Sequence, residues 1–435
     1  MQLPQCVPSY YSHHRRCWAT VGGSRHTTRV NSRRCRGSGA PGPETIKTTA
    51  RVTASITHKM ETQVLETQQS LMLRPKRARR HSPQVLTGAM SVPAGTTDLN
   101  SGLAEYITKG PILARCGISP ESVHTNLTSW VQLGEQLAKQ LGFNHDNMDA
   151  VQKLRVYHYY LPVYFWCTQQ LRLHKESGAK TALVVGISAP QGCGKSTLVE
   201  QLQALLISNG HNAANVSIDD FYLRFQDQSK LAAEHSSNPL LQYRGNAGTH
   251  DLELGAQTLQ RLRDLHSPSD SASVPRYDKS ANGGRGDRAD PSTWPKVNGP
   301  VDIVLFEGWM SGFSPLPEEE VKKVDPSLVG VNAFLKAYRH VWDEMVDSWL
   351  VIQIGDPQWV FKWRLQAEEG MRASGKPGMS DDQIADFVAR FMPAYKAYLP
   401  QLYSKGPTTA RPNHTLIIEV DEQRSPMANQ PQPVL

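Results

Sequence analysis

Residues 181–198 read TALVVGISAPQGCGKSTL, and this stretch decides the fold. Apolar and β-branched residues run into a small-residue turn, which ends in Gly194-Lys195-Ser196-Thr197 and opens a helical pattern. Strand, flexible loop, helix is the order that a phosphate-binding loop requires. Small residues let successive backbone N–H groups curl around a phosphate, and the helix behind them aims its positive dipole end at the same anion. The expected cradle is Ala189, Pro190, Gln191, Gly192, Cys193, Gly194, Lys195, Ser196 and Thr197. In it Lys195 would reach the outer phosphates of a nucleoside triphosphate, and the Ser196 hydroxyl would ligate Mg²⁺. The chain departs from the G-x-x-x-x-G-K-[ST] pattern at its first position, where Ala189 replaces glycine. Alanine tolerates positive φ poorly, so the turn is expected to start differently. A chance match on a surface loop is the competing reading, and the flanking strand and helix count against it.

Outward from this loop, strands are expected at residues 182–187, 215–218, 302–306, 349–354 and 415–420, each followed by a turn or a helical stretch. Repeated βα units imply an α/β fold: a P-loop NTPase-type parallel sheet flanked by helices, with ligands at the carboxyl ends of the strands. Upstream, residues 95–178 read as a helical layer packed on that core. Leu127, Trp130, Val131, Leu133, Leu137 and Leu141 recur at helical spacing, and residues 154–173 form an aromatic-rich helix with a kink at Pro162. Tyr157, His158, Tyr159 and Tyr160 are read as a buried seam rather than a ligand pocket.

Phosphoryl transfer needs phosphate positioning, charge neutralisation and a carboxylate facing the attacking hydroxyl. The second strand runs into Asp219-Asp220-Phe221-Tyr222, which brings a carboxylate beside the loop. Asp219, immediately after the strand, is the better candidate for the base; a helix N-cap is the structural alternative, stronger for Asp220. The third strand, VDIVLFEGW, ends in Glu307, a carboxylate placed to hold Mg²⁺ directly or through water. Two loops carry the polar and cationic groups that a small hydroxylated anion would need: RGNAGTHD, with His250 and Asp251, and PRYDKS, with Arg276, Tyr277 and Lys279. A plain turn and a solvated charge run are the bland readings of these loops. On the expected helix 358–371, Arg364, Glu368 and Arg372 stack at four-residue steps, as an exposed ion-pair ladder or as a lid presenting one arginine to phosphate. The following ASGKPGMS is a candidate lid hinge.

The formal charge of +7 belongs to one end of the chain. Residues 1–80 hold 15 Lys and Arg against three acids, while the remainder is net acidic, so the folded part gives no charge argument for nucleic acid. Residues 1–54 are rich in Arg, Ser and Thr with Glu44 the lone acid, a composition that fits an organellar transit peptide, chloroplast ahead of mitochondrion. A cleavage site near Val52-Thr53-Ala54 is expected; a basic tail or a nuclear signal at KRARR, residues 76–80, are the rivals. No apolar run approaches the roughly 18 residues of a membrane span. The six cysteines form no C-x-x-C pair, so neither a disulfide framework nor a structural zinc site is expected. Cys193 inside the loop is read as a small residue that fits the turn, with an oxidisable thiol as the alternative.

Taken in order, APQGCGKST, SIDDFYL, PRYDKSANGGRGDR and FEGWMSGF resemble the D-glycerate 3-kinases, most of all the plant and algal chloroplast type. These belong to the P-loop kinase group with phosphoribulokinase, uridine kinase and pantothenate kinase. The resemblance covers about residues 95–420, and Ala189 is what that family tends to show. It implies transfer of the ATP γ-phosphate to the 3-hydroxyl of D-glycerate with Mg²⁺, the last step of the photorespiratory glycolate pathway in a chloroplast stroma. It implies Asp219 as base, Lys195 in the catalytic centre, and Ser196 and Glu307 at the metal. Asp220, Tyr222, His250, Asp251, Arg276, Tyr277 and Lys279 would line the acceptor site, with Arg276, His250 and Lys279 foremost for its carboxylate. A monomer with no nucleic-acid or membrane partner is expected. The expected plan is a transit peptide and disordered linker over 1–90, a helical region over 91–180, a kinase domain with a helical lid over 181–421, and a disordered tail over 422–435. A sister kinase of another hydroxylated metabolite, or a nucleotide switch without metabolite transfer, are the alternatives.

Overall fold

The computed structural model of the protein describes residues 95–373, 375 and 379–428. The expected transit peptide and linker, with Cys6, Cys17, Cys35 and the KRARR run, lie outside the described residues. So do residues 429–435 of the expected tail and half of the expected hinge, residues 374 and 376–378.

The five expected strands form: β1 (Leu183–Ser188), β2 (Ala213–Ser217), β3 (Ile303–Gly308), β4 (Ser348–Ile354) and β5 (Thr415–Val420). They pair in the order β2-β3-β1-β4-β5, parallel throughout. Every residue of β1 and β3 is buried, which is why both read as continuous apolar runs: a parallel sheet is covered on its two faces. The chain leaves β1 toward β2 and β3 on one side and later fills β4 and β5 on the other. The strand order therefore reverses at β1, and a crevice opens at its carboxyl end. Register aligns the chemistry there. Ser188 lies opposite Gly308, and Glu307 is flanked by Ile187 and Ser217.

Helices α1 (Leu127–Gln140) and α2 (Leu161–Glu176) form the N-terminal layer, and α3 (Lys195–Ser208) follows the phosphate loop. Trp130, Leu133 and Leu137 bury one face of α1, in a core continuous with Leu198, Leu202 and the sheet. Proline lacks the N–H that a helix needs and clashes with the carbonyl four residues back. The chain meets Pro162 by widening: Arg155–Tyr160 is a π-helical turn, closed by the Leu161 N–H on the Val156 carbonyl. Tyr157, His158, Tyr159 and Tyr160 are buried in this turn, as the seam reading expects.

Between β2 and β3 lies α4 (Leu252–Arg263), capped by Asp251, then two small antiparallel pairs. Ser271–Ser273 pairs with Lys296–Asn298, and Tyr277–Asp278 with Asp287–Arg288. Past β3 come α5 (Leu328–Val341), α6 (Trp359–Ala373), α7 (Asp381–Ala389) and α8 (Met392–Lys405). The expectation of a disordered tail from residue 422 does not hold for residues 422–428. Asp421 and Ser425 close a turn on each other (Asp421 N–H to Ser425 O 2.9 Å), and Met427 N–H returns to Glu419 O at 2.8 Å. Among the described residues no helix is long and apolar enough to cross a membrane.

Candidate active site

The phosphate loop needs left-handed backbone at two positions, and glycine occupies both: Gly192 at φ 81° and Gly194 at φ 90°. Among the described residues only Asn282, Asn413 and Arg424 reach positive φ without being glycine, so Ala189 imposes no strain. The missing glycine of the motif falls where none is required. Pro190, Gln191, Gly192, Gly194, Lys195, Ser196 and Thr197 line a cavity of about 660 Å³, within the range of small-molecule sites.

Ala189 and Cys193 instead turn into the core, each 1% exposed. Burial pushes the Cys193 thiol up to about 11, against the pull of the Lys195 and Arg424 charges. It is a small residue filling the turn.

Asp219 stands on the tight turn Ile218–Phe221, where the Ser217 hydroxyl accepts its N–H at 3.3 Å. Its carboxylate lines the cavity, with Oδ2 accepting from Lys279 Nζ at 2.6 Å and Oδ1 from the Tyr222 hydroxyl at 3.0 Å. Burial pushes this carboxyl up, but the ammonium of Lys279, with that of Lys195 behind it, outweighs burial and holds it below the ordinary value. Asp220 faces away. It accepts from Arg276 at 3.1 Å and from the Tyr277 N–H at 3.3 Å, which fastens the insertion that carries Lys279. Burial raises the Asp220 pKa despite the Arg276 pair.

Lys195 is ion-paired with Glu307, and both side chains are nearly buried. Burial lowers the Lys195 pKa, with the Asp219 charge opposing. Glu307 sits at the end of β3, behind the cavity wall. Ser196, Glu307 and Asp219 offer hard oxygen donors, the set that suits Mg²⁺. Among the described residues no cluster of three acidic, His or Cys groups forms a metal cage. A Mg²⁺ carried largely by nucleotide phosphates needs one or two carboxylates and a hydroxyl, and these residues fit that role.

Five expected acceptor-site residues, Asp220, Arg276, Tyr277, Asp251 and His250, do not line the cavity. Arg276 is tied to Asp220, and the Tyr277 hydroxyl donates to the Leu223 carbonyl at 3.3 Å. Asp251 caps α4 and pairs with Arg288 at 2.8 Å. His250 is 5% exposed, with Nδ1 against the Tyr338 hydroxyl at 2.8 Å, and burial lowers its pKa to about 4. It is neutral at physiological pH and carries no charge for a carboxylate. Asp219, Tyr222 and Lys279 do converge on the cavity with Lys195, Ser196 and Thr197.

The four-residue ladder on α6 is half formed. Arg364 pairs with Glu368, yet Glu368 is 1% exposed and also accepts the Met379 N–H at 2.9 Å, so this step is not a solvated one. Arg372 turns instead to Asp381 at 3.3 Å. Arg364 also lines the cavity, as the lid reading allows.

Sequence reasoning missed Trp363 and Arg424. A Cβ on Gly192 would fall 2.7 Å from that of Trp363, so the loop rests on α6. Arg424, from the turn after β5, donates to the Gly192 carbonyl at 2.7 Å and to Gln366 at 3.1 Å, with its guanidinium over the Trp363 ring. No local signal announced this: the arginine sits in a Pro/Gln-rich end.

No protein-family model matches the chain. Over 338 residues it is 48% identical to the chloroplastic D-glycerate 3-kinase of Arabidopsis thaliana, covering 76% of this chain and 74% of that one. It is 38% identical over 254 residues to a kinase of Schizosaccharomyces pombe, covering 56% of this chain and 90% of that one. Among solved structures, the D-glycerate 3-kinase of Cryptococcus neoformans superposes with a TM-score of 0.57 at 35% identity, over 62% of this chain and 97% of that one. Phosphate loop, facing carboxylate and the shared sequence agree, and the chain belongs to the D-glycerate 3-kinase family.

Proposed function

We propose that this protein transfers the γ-phosphoryl group of ATP to the 3-hydroxyl of D-glycerate, giving 3-phospho-D-glycerate and ADP. One observation carries the reading: the Asp219 carboxylate and the Lys195–Thr197 end of the phosphate loop line the same cavity. Such a transition state is loose, so the protein contributes position and charge more than covalent chemistry. Backbone N–H groups of the loop and the start of α3 hold the outer phosphates, and Lys195 neutralises charge on them. Asp219 orients the acceptor hydroxyl and takes its proton as the bond to phosphorus forms. Its lowered pKa keeps it ionised, and Lys279 and Tyr222 fix the direction of its oxygens. Ser196, with Glu307 and Asp219 nearby, would hold Mg²⁺, which would supply positive charge to offset that of the phosphates.

The basic, acid-poor N-terminal stretch and the chloroplastic relative support a chloroplast stroma location and a place in photorespiration. The enzyme is proposed to act as a monomer on a small molecule. The test is direct: the full chain, ATP, Mg²⁺ and D-glycerate, with the product identified by ³¹P NMR. The reading predicts 3-phosphoglycerate and stoichiometric ADP. ATP hydrolysis indifferent to D-glycerate would overturn it.

A further inference from the structure

The acceptor brings a carboxylate into the cavity, and a carboxylate that gives up water needs an uncompensated cation with matched N–H donors. Most cations on the cavity wall are already spent. Lys195 pairs with Glu307, Lys279 with Asp219, Arg364 with Glu368 and Arg390 with Asp386. Arg244 is different. Among the described residues it has no carboxylate within ion-pair reach; its partners are the carbonyl oxygens of Gly284 at 2.8 Å and Lys279 at 3.4 Å. Those two bonds aim the guanidinium without neutralising it and leave further N–H donors in the planar fork. The face of Tyr277 supports it at 5.7 Å.

Arg244 is also placed on the right side of the base. It holds the carbonyl of Lys279, the residue whose ammonium sits on Asp219, and all three line the one cavity. Cation and base thus share one cavity, joined through a single residue, Lys279. The residues expected to hold the carboxylate have other partners: Arg276 is committed to Asp220, Lys279 to Asp219, and His250 is buried and neutral.

We propose that Arg244 is the specificity-determining residue that receives the acceptor's carboxylate; this rests on the D-glycerate reading above. Neutral polyols with the same terminal hydroxyl leave this guanidinium unpaired and are rejected for that reason.

The experiment compares the full chain with Arg244→Gln and Arg244→Lys, using D-glycerate and, as the carboxylate-free probe, glycerol. Arg244→Gln is expected to raise KM for D-glycerate about 10- to 100-fold, with KM for ATP unchanged. The preference for D-glycerate over glycerol in kcat/KM falls by the same factor, and Arg244→Lys recovers part of it. A wild-type chain that phosphorylates D-glycerate alongside an Arg244→Gln chain of equal KM and preference overturns the inference alone. An equal rise in KM for ATP also overturns it, since the residue then acts on the whole site. A wild-type chain that ignores D-glycerate and phosphorylates glycerol removes the functional reading and the inference together.

Discussion

The ammonium nitrogen of Lys279 lies 2.6 Å from Oδ2 of Asp219, and both side chains line the cavity that begins at the phosphate loop. Two opposing effects meet on that carboxyl. Burial alone would raise its pKa, and the cation on it brings the net shift below the ordinary value. A carboxylate whose folded pKa is depressed stabilises the fold above its unfolded pKa, and that contribution is lost as pH falls through the lowered one. Asp219 is therefore ionised across the neutral range. Removing the ammonium in Lys279→Met leaves burial opposed by Lys195 alone among the charged neighbours, so the pKa rises. The acid limb of the kcat/KM profile is expected to move toward neutral pH in that variant; an unmoved limb would detach Lys279 from the base.

Lys195 and Glu307 form a nearly buried pair, and deleting one partner strands the other's charge. Lys195→Met should lose about 3–5 kcal/mol of stability in denaturant unfolding, along with activity. Adding Glu307→Gln should return most of the stability and none of the activity. Recovery of activity in the double variant would mean that the lysine serves the fold and not the phosphates.

The turn after β5 holds the phosphate loop from outside through Arg424 and the Gly192 carbonyl. A hydrogen bond from a charged donor contributes about 1.5–3 kcal/mol. Arg424→Ala is accordingly expected to raise KM for ATP about tenfold or more while leaving KM for the acceptor near wild type. Steady-state kinetics varying each substrate separately checks this, and equal changes in both constants would contradict it.

Cys193 has its thiol turned away from the cavity and pushed up to about 11 by burial. The reactive thiolate is scarce at pH 8, and access is closed. Treating the native enzyme with an alkylating reagent at that pH should leave kcat unchanged. Loss of activity that Cys193→Ser abolishes would make the loop a redox site.

The sheet was legible because each strand states its own burial. LVVGIS and IVLFEG are apolar or small up to the carboxyl end, where the chemistry begins, and parallel strands covered on both faces must look that way. Asp219 was legible for a related reason: the first residues after a strand end on a known side of the sheet. The partners of the acids were not. Asp219 takes Lys279 and Asp220 takes Arg276, 60 and 56 positions away, and which acid takes which cation depends on how the intervening insertion folds. Arg424 reaches Gly192 across 232 positions, beyond any local pattern. At Pro162 the sequence showed a proline inside a helix but not the π turn just upstream of it, whose wider backbone relieves the proline's clash.

The account stands on Asp219 as the group that meets the acceptor hydroxyl, and single-turnover kinetics of Asp219→Asn test it most directly. The substitution keeps the size of the side chain and its bond from Tyr222 while removing the proton acceptor. The phosphoryl-transfer step to D-glycerate is predicted to slow about 10²- to 10⁴-fold with ATP affinity retained. A step that proceeds at the wild-type rate would contradict the account.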